Sequence, residues 1–504
     1  LVSFKNVGSE TEVTFKAFHF SEYIIADSVV NSQEDLESLL ESGIANEISL
    51  GAGEYTFPEN GFSKGVVLTC SEGTVFAGNS DLDISGATVV GATFSNPNGS
   101  AADYNVNGVF RDCIFEGKNG LRWGQAGETV IFENCTFSGS LYGAHFDGGA
   151  NDVIFRNCTL SGFNTMGGAI TKLIMENCTF ISNGKSGYNG INLWGDTDLV
   201  NCTFIFDGTA KTEWIDLVND GKKVSFVNCK IEGRSSENID SVVGDYGTDN
   251  KITIDGKKFD AKAGLYLDDS GNYLISDGED LSSFANSVNT NNSNYSGKTV
   301  ILTDDINLDG EDWIPIGTGE RYFKGIFDGK GHTISNFKVD VDMKAGLFGD
   351  LRGTVRNLNV TDAEICSKHY AGVIAGWATD GCGTTIVGCN VFNSKITVEP
   401  ELIGDSWDNG DKAGGIMGYI AKNPGISDCT VKDITINGYR DLGGIVGYSD
   451  APVSNCDVES VTIDVNSTHN YKEYINPSDY DAESIKGDGV GTVTDCSGEA
   501  EVKF

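Results

Sequence analysis

TVIFENCTFSGSLYGAHFDGGANDVIFRNCTLSG, residues Thr129 to Gly162, says nearly the same thing twice: an apolar run, Asn-Cys-Thr, one apolar residue, then glycines. Six cysteines that follow Asp or Asn extend the pattern. Cys113, Cys135, Cys158, Cys178, Cys202 and Cys229 are separated by 22, 23, 20, 24 and 27 residues. This is the period of a solenoid, in which each repeat is one coil stacked on the next. Short strand-like pieces (Thr129 to Phe132, Val153 to Phe155, Val224 to Phe226) lie between them, bounded by Gly and Asn.

The parity of the repeat explains its Asn. In Phe132-Glu133-Asn134-Cys135-Thr136-Phe137, strict alternation would put Phe132 and Phe137 on opposite faces. A left-handed bend at Asn134, which Asn tolerates, resets the alternation so that Phe132, Cys135 and Phe137 all point inward. Stacked coils then predict ladders of Phe, Cys and Asn about 4.8 Å apart. The ladder pairs are Asn134 and Cys135, Asn157 and Cys158, Asn177 and Cys178, Asn201 and Cys202, and Asn228 and Cys229.

The Cys position reads as packing. Ala92 occupies it in "VVGATF" and Leu358 in "TVRNLNV". Free Cys behaves as a small buried hydrophobe. Stacked cysteines could also form disulfides at this spacing, whereas a metal site would need Cys-x-x-Cys pairs, which the sequence lacks. Cys366 and Cys382 lie off the ladder and are the better disulfide candidates. Asn134-Cys-Thr136 also matches a glycosylation acceptor pattern, but the turn accounts for its Asn and the outward strand face for its Thr.

Composition agrees with a glycine-punctuated β protein: 65 Gly against 7 Pro in 504 residues. The net charge of -38 argues against nucleic acid and anionic membranes as partners, because neutralising phosphates requires clustered Lys and Arg. No apolar run approaches the roughly 20 residues of a spanning helix, so no membrane insertion is expected. Leu1 opens without a basic-then-apolar leader, so an export signal is expected to be removed or to lie upstream.

The chain divides into four stretches. Residues 1–26 alternate like one or two strands and form an N-terminal β segment, a candidate assembly strand. Residues 27–250 hold the Asn-Cys solenoid, introduced by "SQEDLESLLESG" with Ser32 as N-cap, acids in the first turn and Leu36, Leu39 and Leu40 on one face. Residues 251–275 read as a hairpin linker with turns at Asp255-Gly256 and Ser270-Gly271. Residues 276–504 open with a second helix, Ser276 to Asn289, and continue as a different solenoid. Each helix is expected to cap the open end of a coil stack. The fold class is all-β: two tandem right-handed parallel β-helix (β-solenoid) domains, each with a short N-terminal capping helix.

The second half carries Ala345-Gly-Leu-Phe-Gly349, Gly372-Val-Ile-Ala-Gly376, Gly415-Ile-Met-Gly418 and Gly444-Ile-Val-Gly447, each followed by a strand-like unit. With "WIPIGTGERYFKGIFDGKGHTISNFKV" before them, residues Trp313 to Val458 resemble the GLUG-motif repeats of bacterial surface proteins. Residues Asn31 to Gly233 resemble pectate-lyase-like right-handed β-helix proteins, adhesin-type chains among them. The resemblance implies an exported protein, extracellular or on the cell surface, that is a structural or adhesive solenoid of a surface, fibre or filament, with copies of itself or other surface proteins as partners. It carries over no catalytic residue. The alternative it leaves open is a phage tail spike, located on the virion tail, or a bacterial β-helix protein that binds or cleaves a polysaccharide.

Segments before the Asn-Cys units align as "GLRWG", "GAHFDG", "GAITK", "GINLWG" and "WIDLVN", which gives an outward column of Arg122, His145, Ile170, Asn192 and Asp216. An Arg, a His and an Asp could bind or deprotonate a uronic acid. Ile170 interrupts the column, and Arg122 and Asp216 are about 19 Å apart at four coil steps. A non-catalytic chain is therefore expected, with the column a solvated face before it is a site; the candidates for glycan contact are Arg122, His145, Asn192 and Asp216, with Tyr188 and Trp194 for ring stacking. No cofactor is expected except Ca²⁺, for which Asp340 and Asp342 are the candidates against a plain acidic strand face.

Overall fold

The computed structural model describes residues 2–7, 10–15, 29–42, 46–58, 65–78, 86–102, 107–122, 129–162, 164–182, 190–206, 215–233, 238–291, 293–399, 412–465 and 482–503. They fall into two compact units, Leu1–Asn250 and Lys251–Phe504. No helix among the described residues is long and apolar enough to cross a membrane.

In the first unit the residue before each ladder cysteine takes the left-handed conformation, with φ between 50° and 55° at Asp112, Asn134, Asn157, Asn177, Asn201 and Asn228. Only Gly, Asn and Asp adopt that conformation readily. The bend resets the alternation, and Phe132, Cys135 and Phe137 are all buried. The Asn side chains form a directional row in which each Nδ2 donates to the Oδ1 of the coil before. Asn134 reaches Asp112 at 2.9 Å, Asn157 reaches Asn134 at 3.1 Å, and Asn177, Asn201 and Asn228 continue at 3.1, 3.0 and 2.8 Å. The first member only has to accept, so an Asp can start the row.

Among the described residues the coil-to-coil pairing in this solenoid is parallel and keeps like residues in line. Phe110, Phe132, Phe155, Met175, Leu199 and Phe226 form one interior column. Phe94, Phe115, Phe137, Leu160, Phe180 and Phe204 form another. Rings within a column stack, as Phe115 and Phe137 do at 4.7 Å and 3°, and meet the other column edge-on, as Phe132 and Phe137 do at 5.0 Å and 87°. Offset-stacked and edge-to-face pairs are the two arrangements that the ring quadrupole favours.

Cysteines 113, 135, 158, 178 and 202 are buried beside these columns, as is Ala92 at the equivalent place, and Leu358 is buried at that place in the second unit. All thirteen cysteines are free thiols, so Cys366, which is exposed, and Cys382 form no disulfide. Burial pushes the Cys135 thiol above its ordinary range, which keeps it protonated and inert. Cys135→Ala is therefore expected to cost only about 1–2 kcal/mol, the loss of one small buried group, measured by denaturant unfolding. A loss as large as that of a buried aromatic would contradict the packing account.

Two elements lie outside the coils. Val2–Val7 and Glu10–Phe15 pair antiparallel, Val2 opposite Phe15 and Phe4 opposite Val13, as a two-stranded sheet rather than a parallel first rung. Helix α1, Gln33–Ser42, starts with Ser32 Oγ accepting from Asp35 N at 3.2 Å, and Leu36 is its buried residue.

The second unit opens with antiparallel strands, Lys251–Ile254, Lys257–Asp260 and Leu265–Leu267, turned at Asp255 and Gly256 with φ of 49° and 78°. From Tyr273–Ile275 onward the pairing is parallel. Helix α2, Gly278–Asn289, has Asp277 as N-cap and buries Leu281, Phe284, Ala285 and Val288 in the core. Its coils repeat the Asn bend at Asn357 and Asn455 and stack Leu358, Cys389, Cys429 and Cys456 in the buried ladder position. The Gly-x-x-Gly segments turn between a four-stranded and a five-stranded parallel sheet.

Candidate functional site

Backbone register defines the outward column on the first unit. Arg122 lies beside His145, and His145 beside Gly167. Met166 pairs with Ile191, which sets Gly167 next to Asn192, and Asn192 pairs with Asp216. Ile170 is not in this column. It pairs with Ala150, past a register shift between Phe146 and Ala150, and is buried. The member between His145 and Asn192 is thus a glycine, and the column has a gap with no side chain where an apolar interruption was expected.

The column's charged end is built by three residues. The Asp147 carboxylate bridges Arg122 Nε at 2.8 Å through Oδ2 and His145 Nδ1 at 2.6 Å through Oδ1. The histidine contact is short but is not aligned as a hydrogen bond. A carboxylate at Nδ1 favours the proton there and leaves Nε2 as the acceptor. The Tyr142 ring lies 4.7 Å from the imidazole at 36°. Burial lowers the His145 pKa and outweighs the opposing pull of Asp147, so the ring is neutral near pH 7. The His145 side chain is 14% exposed and that of Arg122 41%, so the imidazole is largely desolvated while the guanidinium reaches solvent.

Asp147 was missed by sequence reasoning, although it stands two residues after His145 and so shares its face on a strand. Asp216 was expected at the surface but is 1% exposed. Its strand Ile215–Leu217 is buried at all three residues, so alternation does not separate an outer face there. Asn192 is half-buried in the column. Trp194, half-buried beyond it, receives Asn219 Nδ2 on its carbonyl at 2.8 Å, and its Nε1 is buried with no hydrogen-bond partner among the described residues. Tyr188 lies outside the described residues.

The acidic pair Asp340 and Asp342 stands at the end of the strand Thr333–Val341 in the second unit. Both are exposed, and Asp342 Oδ1 is 3.0 Å from Lys368 Nζ. No group of three His, Cys, Asp or Glu that could hold a metal gathers among the described residues.

Residues 46–207 and 103–259 match the family model of the right handed beta helix region. The assignment covers residues 46–259 of the 504, the β-helix region, which contains the whole column. No curated protein matches the chain. Among solved structures, one similar chain is from Bacteroides ovatus and is provisionally named an immunoglobulin A1 protease. It shows 20% identity over 47% of this chain and 78% of its own, with a TM-score of 0.31. Another is a mutant of the PL6 family alginate lyase AlyGC, with 10% identity over 94% of this chain and 99% of its own and a TM-score of 0.20. Likenesses this distant transfer no residue role. A polysaccharide lyase stands among these likenesses, so the expectation of a non-catalytic chain is withdrawn.

Proposed function

We propose that the β-helix region engages a polysaccharide along the column from Arg122 to Asn192, and that His145 is the proton acceptor of a cleavage step there. The observation that carries this reading is the Arg122, Asp147 and His145 cluster, a neutral imidazole in contact with a carboxylate beside a surface guanidinium. An imidazole held in this way can remove a proton from a sugar carbon or from water. Arg122 presents N–H donors suited to a carboxylate or hydroxyl. Gly167 places no side chain on the column between His145 and Asn192.

The test is a panel of acidic and neutral polysaccharides incubated with the full chain and followed by reducing ends and by the ultraviolet absorbance of unsaturated products. Turnover of at least one, absent in His145→Ala, is the expected result. No turnover on any member, or turnover indifferent to His145, would overturn the reading.

The pH profile has a defined sign. The folded pKa of His145 lies below the ordinary value of about 6.5, so the base form persists to lower pH than in a free histidine. Cleavage should rise with pH along a limb centred below about 6.5 and be flat above it. The same shift makes stability fall with acid, because below the unfolded pKa the unfolded chain binds a proton that the folded His145 does not. A limb centred above that value would remove His145 as the base.

We further propose that the second unit is a GLUG-type repeat and that the protein works outside the cell or at its surface, where polysaccharides are met. Supporting the first point, the tight Gly372-to-Gly376 turn has counterparts at Gly414 to Gly418 and Gly443 to Gly447.

A further inference from the structure

The second unit contains a cleft of about 450 Å³ that has no part in the column and lies where the coil rule is broken, among the antiparallel strands and the start of α2. Its volume falls within the range of small-ligand clefts, about 300–1,000 Å³. Tyr266, Leu267 and Leu274 supply an apolar surface, and Lys257 and Asp269 supply opposite charges.

The remaining charges lining the cleft are already committed. The Asp268 carboxylate takes Asn272 N at 2.9 Å and Asn272 Nδ2 at 2.8 Å. Asp280 Oδ2 takes Ser276 N at 2.8 Å and Ser276 Oγ at 2.7 Å. Lys258 Nζ donates to the Asp269 carbonyl at 3.0 Å. Lys257 and the Asp269 carboxylate, both exposed, have no such hydrogen bond or ion pair among the described residues, and Lys257 Nζ stands 5.8 Å from the centre of the Tyr266 ring. Phe259 packs against that ring at 5.1 Å and 53°, which holds it in place.

We infer that this cleft binds one residue of a glycan, with a sugar face on Tyr266 and its hydroxyls on Lys257 and Asp269. A half-exposed aromatic ring with one cationic donor and one anionic acceptor nearby suits a pyranose, which has an apolar face and a polar rim. A zwitterion such as a dipeptide would also meet both charges. In an open, solvated cleft, though, ion pairs contribute little, whereas ring stacking keeps its value. The site goes beyond the column reading because it lies in a different unit and uses none of the same residues.

The test titrates the full chain with cellohexaose, maltohexaose, chitohexaose and hexagalacturonate, and with glycylglycine, by calorimetry and saturation-transfer NMR. At least one hexasaccharide should bind about ten-fold more weakly to Tyr266→Ala and nearly normally to Tyr266→Phe, which keeps the ring and the fold. Absence of any Tyr266-dependent saccharide binding, or Tyr266-dependent binding of glycylglycine alone, would overturn the inference. Saccharide binding lost in Arg122→Ala but kept in Tyr266→Ala would overturn it while leaving the column reading intact.

Discussion

Phe132→Ala should destabilise the first unit by about 3–5 kcal/mol, the range for removing a fully buried aromatic side chain. Phe132 stacks on Phe110 at 5.3 Å and on Phe155 at 5.0 Å, and meets Phe137 edge-on. Its loss leaves a cavity bounded by rings that are themselves held by the coils above and below. Phe132→Leu should cost much less, because the same column accommodates Met175 and Leu199. Urea unfolding of both variants checks the pair. Equal losses would mean that the column is not the continuous packed core described above.

Gly372→Ala is the second large effect, at the upper end of the roughly 1–3 kcal/mol that overpacking costs. A Cβ at Gly372 would come 2.5 Å from the Ala375 oxygen, 2.5 Å from Met417 Cα and 2.7 Å from Gly418 N. All three are backbone atoms, two of them in the next coil, so no side chain can swing aside. The strain must open the coil-to-coil spacing itself. A thermal melt with an unchanged midpoint would show that the turn is looser than this geometry.

The interior of the first solenoid was legible because its rule is local. An Asn bend, a small buried residue and an aromatic recur every coil, and Ala92 and Leu358 exposed the Cys position as filler. The outer face was less legible, since nothing in the core pattern fixes register there. The slip from Gly167 to Ile170 came from aligning Gly168 with Gly143, whereas the register pairs Ala144 with Met166 and His145 with Gly167, three residues earlier. Asp216 was misplaced because burial at Ile215–Leu217 depends on what covers the strand, not on alternation along it. Asp147 could have been found from its spacing to His145 alone.

The second unit holds a further regularity that passed unread. Trp377, Tyr419 and Tyr448 each follow a glycine, lie in register, and stack at 4.2 and 5.1 Å on the outer face of the five-stranded sheet. The Gly-aromatic pairs were visible in the sequence. Their alignment was not, because the inserts between coils differ in length and only the hydrogen-bond register brings them into one column.

The most direct measurement of the central claim compares wild type, His145→Ala and Arg122→Ala on the polysaccharide that the panel selects, with unfolding curves confirming that all three are folded. The account predicts that His145→Ala lowers the cleavage rate by about 10²–10⁴-fold, as loss of a general base does, with little change in affinity. Arg122→Ala should chiefly raise KM. Folded variants that cleave and bind as wild type does would contradict the assignment of function to this column.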